Sequence, residues 1–343
     1  MEYARLAGGP AAAVDAALAG RAAGITAPTS GSTGDPREVL LPREALIASA
    51  DATLGRLGGP GHWLLALPDS RVAGAMVRVR AARADAHLAA VPHGPFTTER
   101  FAAAAAAMPP GRRYVSLVPT QVRRLLADAR GADALAGFDA VLVGGAPPGM
   151  TLPSNAVETY GMTETCGGCV YDGVPLDGVG VGVDGDGRIV LAGPTLAAGY
   201  ADGDDSAFVD RERERWFRTS DLGRWDGERL TVLGRADDVI ITGGFNVHPA
   251  AVERALLSHA GIADAVVVGV PDGEWGERVA ALVVAATAPG EVEDAVAAAS
   301  ASVPAHERPR FVLAVDAVPR TAAGKIDRST ARAIAARAAE EAP

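Results

Sequence analysis

The sequence contains very little lysine and cysteine for its length. Only one of its 32 basic residues is a lysine, Lys325, and the others are arginines. The two cysteines, Cys166 and Cys169, suit a reducing compartment, and their C-x-x-C spacing lacks the further ligands that a zinc site needs. No apolar run reaches the ~20 residues of a membrane-spanning helix, and no N-terminal run resembles a signal peptide. We therefore expect a cytoplasmic protein with no membrane span.

The charge balance disfavours some classes of partner. Acidic residues outnumber basic ones by 42 to 32, which gives a formal net charge of −10. Such a surface argues against binding to nucleic acid or to an anionic membrane. An anionic substrate must therefore be held by local groups. The oligomeric state is left open, with a homodimer as one option.

The hydrophobic pattern predicts an α/β fold. Buried strand patterns that end in loop residues alternate with helical patterns, which is typical of a sheet covered by helices. The strand patterns include residues 63–67, 114–118 and 140–143, and the helical patterns include residues 43–57, 98–108 and 121–129. We expect them to form a large N-terminal domain.

The pattern changes in the second half of the chain. Short strands separated by glycine and aspartate turns over residues 178–233 indicate a small β-rich subdomain. New helix and strand patterns follow, and residues 328–341 read as a final helix. We place a domain boundary near Asp237, so that a larger domain covers residues 1–236 and a smaller α+β domain covers residues 237–343.

Three short segments contain residue types that suit nucleotide chemistry. Residues 29–34 place four hydroxyls and two glycines in a row, and such a loop can wrap a polyphosphate with backbone N–H groups and hydroxyls. Thr163 and Glu164 put a hydroxyl beside a carboxylate, a pair that suits Mg²⁺ next to a phosphate. Asp221 can accept hydrogen bonds from ribose hydroxyls. Each segment alone is equally well read as an ordinary turn.

Taken in order, six motifs resemble those of the adenylate-forming superfamily, which includes acyl-CoA synthetases, adenylation domains of peptide synthetases and luciferase. They are TSGSTGDP at 29–36, YGMTE at 160–164, TSD at 219–221, GRADD at 234–238, GGFNVHP at 243–249 and PRTAAGK at 319–325. The resemblance implies an enzyme that joins a carboxylic acid to coenzyme A. ATP, Mg²⁺ and coenzyme A would take part, and an acyl-adenylate would be the intermediate.

The resemblance also implies residue roles in the larger domain. The β- and γ-phosphates of ATP should be held by Thr29, Ser30, Gly31, Ser32, Thr33 and Gly34. The adenine and acyl pocket should be bordered by Gly144, Gly145, Ala146, Tyr160 and Gly161. Glu164 should bind Mg²⁺, and Thr163 should lie near the phosphates.

Further roles are implied around and beyond the domain boundary. Asp221 and Arg235 should hold the ribose, and Asp237 matches a hinge about which the smaller domain moves. The pantetheine passage of coenzyme A should be formed in part by Gly243, Gly244 and Phe245. Lys325 should contact both the substrate carboxylate and the α-phosphate.

This sequence departs from the family pattern near the phosphate loop. Arg37 stands where a lysine is usual, Glu38 where a glycine is usual, and Arg71 where many relatives carry a histidine. The loop begins at residue 29, whereas most relatives have a much longer preceding segment. We therefore expect much of the first N-terminal subdomain to be missing.

Within the superfamily, short segments at residues 63–68, 116–121 and 143–147 are similar to o-succinylbenzoate–CoA ligases of menaquinone biosynthesis, particularly their compact form. This implies a dicarboxylate substrate, 2-succinylbenzoate, with Arg71 and Thr120 at the acyl group. Arg71 would hold the unreacting carboxylate by bidentate pairing. The alternative is that Arg71 is a surface arginine, like Arg78, Arg80 and Arg83.

Three other functions remain open. One is another aryl or fatty acyl-CoA ligase, since pocket residues decide the acid. A second is a non-catalytic nucleotide-binding relative, suggested by Glu38 and the short N-terminus. A peptide-synthetase adenylation domain is disfavoured, because no carrier domain follows residue 343.

Overall fold

The computed structural model describes residues 1–29, 36–145, 150–211, 214–286, 292–321 and 326–341. These residues form two compact units, each with its own hydrophobic clusters. The larger unit contains most residues up to Thr219 together with Trp225–Thr231, and the smaller unit contains Ser220–Arg224 and the residues from Val232 onward. The division at Asp237 stays a prediction.

Helices and strands are mixed in both units, which confirms the predicted α/β class. The helices are α1 (Pro10–Leu18), α2 (Arg43–Arg56), α3 (Val72–Arg83), α4 (Thr98–Ala106), α5 (Pro119–Leu126), α6 (Ala129–Ala136), α7 (Pro249–Leu257), α8 (Val292–Ser300) and α9 (Arg328–Glu341). Within the described ranges, none of them has the length and apolar composition needed to cross a bilayer.

The strands are short except in the second half of the chain. The first ten are β1 (Ala4–Arg5), β2 (Gly24–Pro28), β3 (Glu38–Pro42), β4 (His62–Leu65), β5 (Leu88–Ala90), β6 (Arg113–Leu117), β7 (Ala140–Gly144), β8 (Ala156–Met162), β9 (Gly167–Tyr171) and β10 (Val174–Pro175). The next six are β11 (Gly180–Val183), β12 (Arg188–Ala192), β13 (Gly199–Tyr200), β14 (Phe208–Arg211), β15 (Glu214–Trp225) and β16 (Leu230–Arg235). The last five are β17 (Ile240–Thr242), β18 (Phe245–Val247), β19 (Ile262–Asp272), β20 (Gly276–Ala285) and β21 (Phe311–Ala314).

A seven-stranded sheet forms the centre of the larger unit. Its strand order is β10-β9-β8-β7-β6-β4-β5, and the pairs from β5 to β8 are all parallel. The carboxyl ends of β4, β6, β7 and β8 therefore open at one edge of the sheet, which is where α/β sheets bind ligands. The strand patterns at 63–67, 114–118 and 140–143 correspond to β4, β6 and β7 within two residues.

Helix α3 packs on one face of this sheet. Side chains alternate between the two faces of a strand, and Trp63 and Leu65 of β4 share a cluster with Tyr114 of β6 and with Val77 and Ala81 of α3. Most of α3 is buried. The sequence pattern does not predict this helix, because no polar face marks a helical period.

Two smaller sheets accompany the seven-stranded sheet. In the first, of order β1-β2-β3-β13, β2 and β3 pair antiparallel, and Pro28 lies opposite Glu38 at the base of the predicted phosphate loop. In the second, of order β11-β12-β15-β14, β16 adds to β15. These strands match the small β-rich subdomain predicted over residues 178–233.

The smaller unit has a sheet with helices on both faces. Its strand order is β18-β17-β20-β19, and β21 adds to β20. Alternate residues of β19 and β20 pack against α7 and α8 on one side and against α9 on the other. The last helix, α9, has the bounds that the sequence predicted.

Candidate active site

The ends of the predicted phosphate loop are held together by hydrogen bonds. The Thr29 amide donates to the Arg37 carbonyl at 2.8 Å, and the Arg37 amide donates to Thr29 Oγ1 at 3.0 Å. Arg71 Nη1 donates to the Thr29 carbonyl at 3.0 Å, so this arginine supports the base of the loop. Its predicted contact with the substrate stays a prediction. The remaining loop residues of that prediction lie outside the described ranges: Ser30, Gly31, Ser32, Thr33 and Gly34.

The Arg37 side chain pairs with acidic groups of the same unit. Its Nε and Nη2 donate to the two Asp202 carboxylate oxygens at 2.8 and 2.7 Å, and Nη2 also donates to the Asp204 carbonyl at 2.8 Å. The side-chain hydrogen bonds of the pair raise the pKa of Arg37 and lower the pKa of Asp202. The guanidinium carbon lies 3.6 Å from the centroid of the Tyr200 ring, within the range of a cation–π contact.

Glu164 is a buried carboxylate in the turn that follows β8. Its Oε1 accepts a hydrogen bond from the Tyr200 hydroxyl at 2.8 Å. Burial, and next the charge of Glu164, raise the pKa of Tyr200, so its hydroxyl remains a donor at neutral pH. In the described part of the chain no hydrogen bond reaches Oε2. An oxygen of this kind fits Mg²⁺, which binds proteins through one or two carboxylates together with substrate phosphates.

Thr163 lies beside Glu164 and is buried. The turn ends at Cys166, which has a left-handed backbone with a φ of 54°. Burial raises the pKa of the Cys166 thiol, and it raises the pKa of Cys169 to about 12. Both thiols are therefore protonated at neutral pH and pack as small apolar groups.

Two glycines predicted at the adenine and acyl pocket end strand β7. Gly144 lies opposite Thr159 of β8, and a Cβ at this position would lie 2.5 Å from Thr159 Oγ1. Gly145 follows with a φ of +89°, a conformation that favours glycine. The chain can therefore turn closely over the sheet edge. Ala146 lies outside the described residues.

Tyr160 and Gly161 lie on β8, next to a shift in its register with β9. A Cβ at Gly161 would lie 2.1 Å from the Gly167 carbonyl oxygen. Only glycine allows the two backbones to approach so closely. The same approach places the turn with Glu164 directly beyond the strand.

We expect Gly161→Ala to destabilise the protein, because the two strands must separate to make room for the methyl group. The expected loss in the free energy of unfolding is roughly 1–3 kcal/mol, measured by urea titration. Gly185→Ala is the matched control, since no atom lies within 4 Å of a Cβ built there. Equal stability of the two variants would contradict the close approach.

Thr120 lies in the first turn of α5, immediately after β6. The next side chain, Gln121, accepts from the Val118 amide and donates to the Ala66 carbonyl, both at 3.0 Å. These bonds connect the chain after β6 to the chain after β4. Thr120 is thus held at the sheet edge where β7 and β8 also end. Its contact with the acyl group stays a prediction.

Arg80 is buried, so its interpretation as a surface arginine is wrong. Only 4% of Arg80 is exposed, and its Nε has no hydrogen-bond partner within the described ranges. Its guanidinium carbon lies 5.4 Å from the centroid of the Trp63 ring. By contrast, Arg78 on the same helix donates to Asp69 at 2.7 Å. Burying a charge costs roughly several kcal/mol, and the Trp63 ring offsets part of that cost through a cation–π contact.

In the smaller unit, the predicted ribose contacts lie on paired strands. Asp221 is in β15, and Arg235 ends β16. Arg235 Nη2 donates to Asp237 at 2.9 Å, while its Nε is buried without a partner among the residues described. Buried donors are normally satisfied, so this N–H fits a ligand oxygen such as a ribose hydroxyl. The hinge role of Asp237 stays a prediction.

The predicted coenzyme A passage falls on a tight turn of the smaller unit. Gly243 and Gly244 connect β17 to β18 with φ angles of +56° and +81°, as a two-residue hairpin turn requires. A Cβ at Gly243 would lie 2.7 Å from the Trp275 ring. Phe245 is 55% exposed and stacks on His306, with ring centroids 4.5 Å apart. The contact of this turn with coenzyme A stays a prediction.

Lys325 lies outside the described residues. Arg328, three residues later, attaches the chain to other segments of the smaller unit. Arg328 donates through Nη1 and Nη2 to Glu253 at 2.6 and 2.9 Å, and its Nε lies 2.9 Å from an Asp238 oxygen. The chain after Lys325 is thereby fixed to α7 and to the segment next to Asp237.

The chain is similar to known proteins over most of its length. The AMP-binding enzyme family matches residues 25–201, and the AMP-binding enzyme C-terminal domain matches residues 251–325. The chain is 43% identical to the probable 2-succinylbenzoate–CoA ligase of Mycobacterium tuberculosis over 319 residues, which cover 88% of this chain and 82% of the relative. It is 28% identical to the 2-succinylbenzoate–CoA ligase of Listeria monocytogenes, with coverage of 88% and 68%.

Solved structures show the same fold. The o-succinylbenzoate CoA synthetase (MenE) of Bacillus subtilis, in complex with its acyl-adenylate intermediate, matches with a TM-score of 0.74 and 26% identity, over 90% of this chain and 68% of that one. ATP-bound MatB of Rhodopseudomonas palustris matches with a TM-score of 0.76 and 25% identity, over 91% and 68%. The chain belongs to the AMP-binding enzyme family.

Proposed function

We propose that this chain is an ATP-dependent acid–thiol ligase that converts 2-succinylbenzoate to 2-succinylbenzoyl-CoA through an acyl-adenylate. Family membership and the named relatives support the reaction type. The 43% identity to a probable 2-succinylbenzoate–CoA ligase favours this dicarboxylic acid. A planar guanidinium binds a carboxylate through two parallel hydrogen bonds, so Arg71, which lies next to Thr29, is the candidate for the carboxylate that does not react.

The reaction requires a carboxylate to attack the α-phosphate of ATP. The new bond joins a carboxylate oxygen to phosphorus, and pyrophosphate leaves. For this step we propose Lys325 as the group that would contact both anions, and Asp221 and Arg235 as the groups that would hold the ribose. Glu164 Oε2 would hold Mg²⁺, whose charge offsets that of the phosphates. Catalysis then rests on positioning and on stabilising negative charge.

The second step is attack by the thiol of coenzyme A on the acyl carbon. A carbon–sulfur bond forms, and AMP leaves with the oxygen that joined it to the acyl group. The turn at Gly243 and Gly244 has no side chains to obstruct an approaching thiol.

We include the hinge at Asp237, a cytoplasmic location and a homodimer in the proposal. Cell fractionation and light scattering test the last two.

A thioester assay with a panel of acids tests the proposed substrate. We expect kcat/KM for 2-succinylbenzoate to exceed that for benzoate by on the order of 10² or more, because a site built to bind a polar group discriminates against a substrate that lacks it. Equal rates with benzoate or a fatty acid would support another acyl-CoA ligase. Absence of pyrophosphate exchange with every acid would support a non-catalytic relative.

A further inference from the structure

Three side chains of the larger unit form a continuous connection from the end of the phosphate loop to Glu164. The Arg37 guanidinium covers the ring of Tyr200, and the Tyr200 hydroxyl donates to Glu164 Oε1. Strand pairing fixes this arrangement, since Tyr200 in β13 lies opposite Val39 in β3, two residues after Arg37. The connection therefore joins three segments that are distant in the sequence.

Arg37 contributes little free positive charge at this position. The Asp202 carboxylate pairs with it at 2.7 Å, and an Asp204 carboxylate oxygen lies 3.6 Å away. Two negative groups offset one guanidinium, so its attraction for a phosphate is reduced. What the pair with Asp202 does supply is a fixed orientation, because a bidentate contact restrains both the position and the plane of the guanidinium.

We propose that Arg37 is a positioning residue that orients Glu164 through Tyr200 for its contact with Mg²⁺. The stacked guanidinium holds the Tyr200 ring, the hydroxyl of that ring holds Oε1, and Oε2 is presented to the metal. This inference rests on the assignment of Glu164 as the Mg²⁺ contact in the proposed function. Supporting residues of this kind typically affect metal affinity by roughly 10–100-fold.

The proposal explains why an arginine replaces the usual lysine at this position. A guanidinium pairs with Asp202 through its edge while its flat face covers the Tyr200 ring. A lysine ammonium is compact and has no plane, so it cannot make both contacts in the same way. Arg37 and Tyr200 together therefore give Glu164 a rigid support, where a lysine would supply one flexible charge.

Metal binding measured without the acid substrate tests this connection. Mn²⁺ would be titrated into each purified variant with a non-hydrolysable ATP analogue, and bound ion would be measured by electron paramagnetic resonance. We expect Tyr200→Phe to weaken Mn²⁺ binding about 10-fold and Arg37→Ala to weaken it by a similar or smaller factor. The double variant should bind no more weakly than Tyr200→Phe alone, because both changes interrupt one connection.

Two other results would overturn the proposal. The first is a double variant whose loss equals the product of the single losses, since independent effects multiply. The second is an Arg37→Ala variant that loses affinity for the nucleotide in EDTA as well, which would indicate a direct phosphate contact. Neither measurement uses an acyl substrate, so an error in the proposed acid would not affect the result.

Matched variants separate positioning from general damage to the fold. Arg83→Ala removes another bidentate pair, with Asp51 at 3.0 and 2.9 Å, and Tyr114→Phe removes another donating hydroxyl. Both should leave Mn²⁺ affinity unchanged. Arg37→Lys keeps the charge and is used in place of Arg37→Ala if the alanine variant does not fold. It should still weaken Mn²⁺ binding, and wild-type affinity in this variant would contradict the proposal.

Discussion

Replacing Lys325 with alanine is expected to slow formation of the acyl-adenylate by roughly 10²–10³-fold, the usual effect of removing one group that stabilises a transition state. The reason is electrostatic, because the first step brings a carboxylate and a phosphate together and Lys325 is predicted to lie between them. In the second step a thiol attacks the acyl group, and no carboxylate has to approach a phosphate. Pyrophosphate exchange measures the first step alone.

The same variant should still convert supplied acyl-adenylate and coenzyme A to the thioester. Lys325→Arg is the matched control for charge, and we expect it to restore exchange only in part, since a guanidinium is wider than an ammonium. The protein has a single lysine side chain, so acetylation of lysine in the wild type should reproduce the alanine result. Full overall activity in Lys325→Ala would exclude the assignment.

Arg71→Ala is expected to raise KM for 2-succinylbenzoate by roughly 10–100-fold, because the carboxylate that does not react would lose its charged partner. Arg80→Met should leave KM near the wild-type value and increase stability. Replacing buried charge with packed apolar groups often stabilises a protein by roughly 1–4 kcal/mol. Substrate kinetics and thermal unfolding, measured on the same preparation, test both parts.

Two other arginines serve as comparisons for Arg71. Arg78→Met alters a residue that pairs with Asp69, and Arg80→Met alters a buried residue of the same helix. We expect KM to stay near the wild-type value in both. An unchanged KM in Arg71→Ala would contradict its proposed contact with the unreacting carboxylate.

The sequence predicts helices and strands well where the pattern of apolar residues matches the pattern of burial in the structure. Strands β4, β6 and β7 are short apolar runs bounded by loop residues, and α9 has a helical pattern over its whole length. The sequence pattern does not predict helix α3, because seven of its twelve residues are buried and the periodic contrast that identifies a surface helix is weak.

The candidate site was predictable as a set of motifs and unpredictable as a set of contacts. Glu164 belongs to a recognisable motif, but its partner Tyr200 comes from a two-residue strand that no local pattern marks. Arg80 differs from Arg78 and Arg83 only in the side of the helix it occupies. A signal was present, since Arg80 follows Met76 and Val77 at helical spacing, and both are buried.

The burial of Cys166 and Cys169 has a consequence for handling the enzyme. Oxidants attack thiols that are accessible and ionised, and both cysteines of the sequence are buried with a raised pKa. The protein should therefore keep its activity during storage in air without a reducing agent.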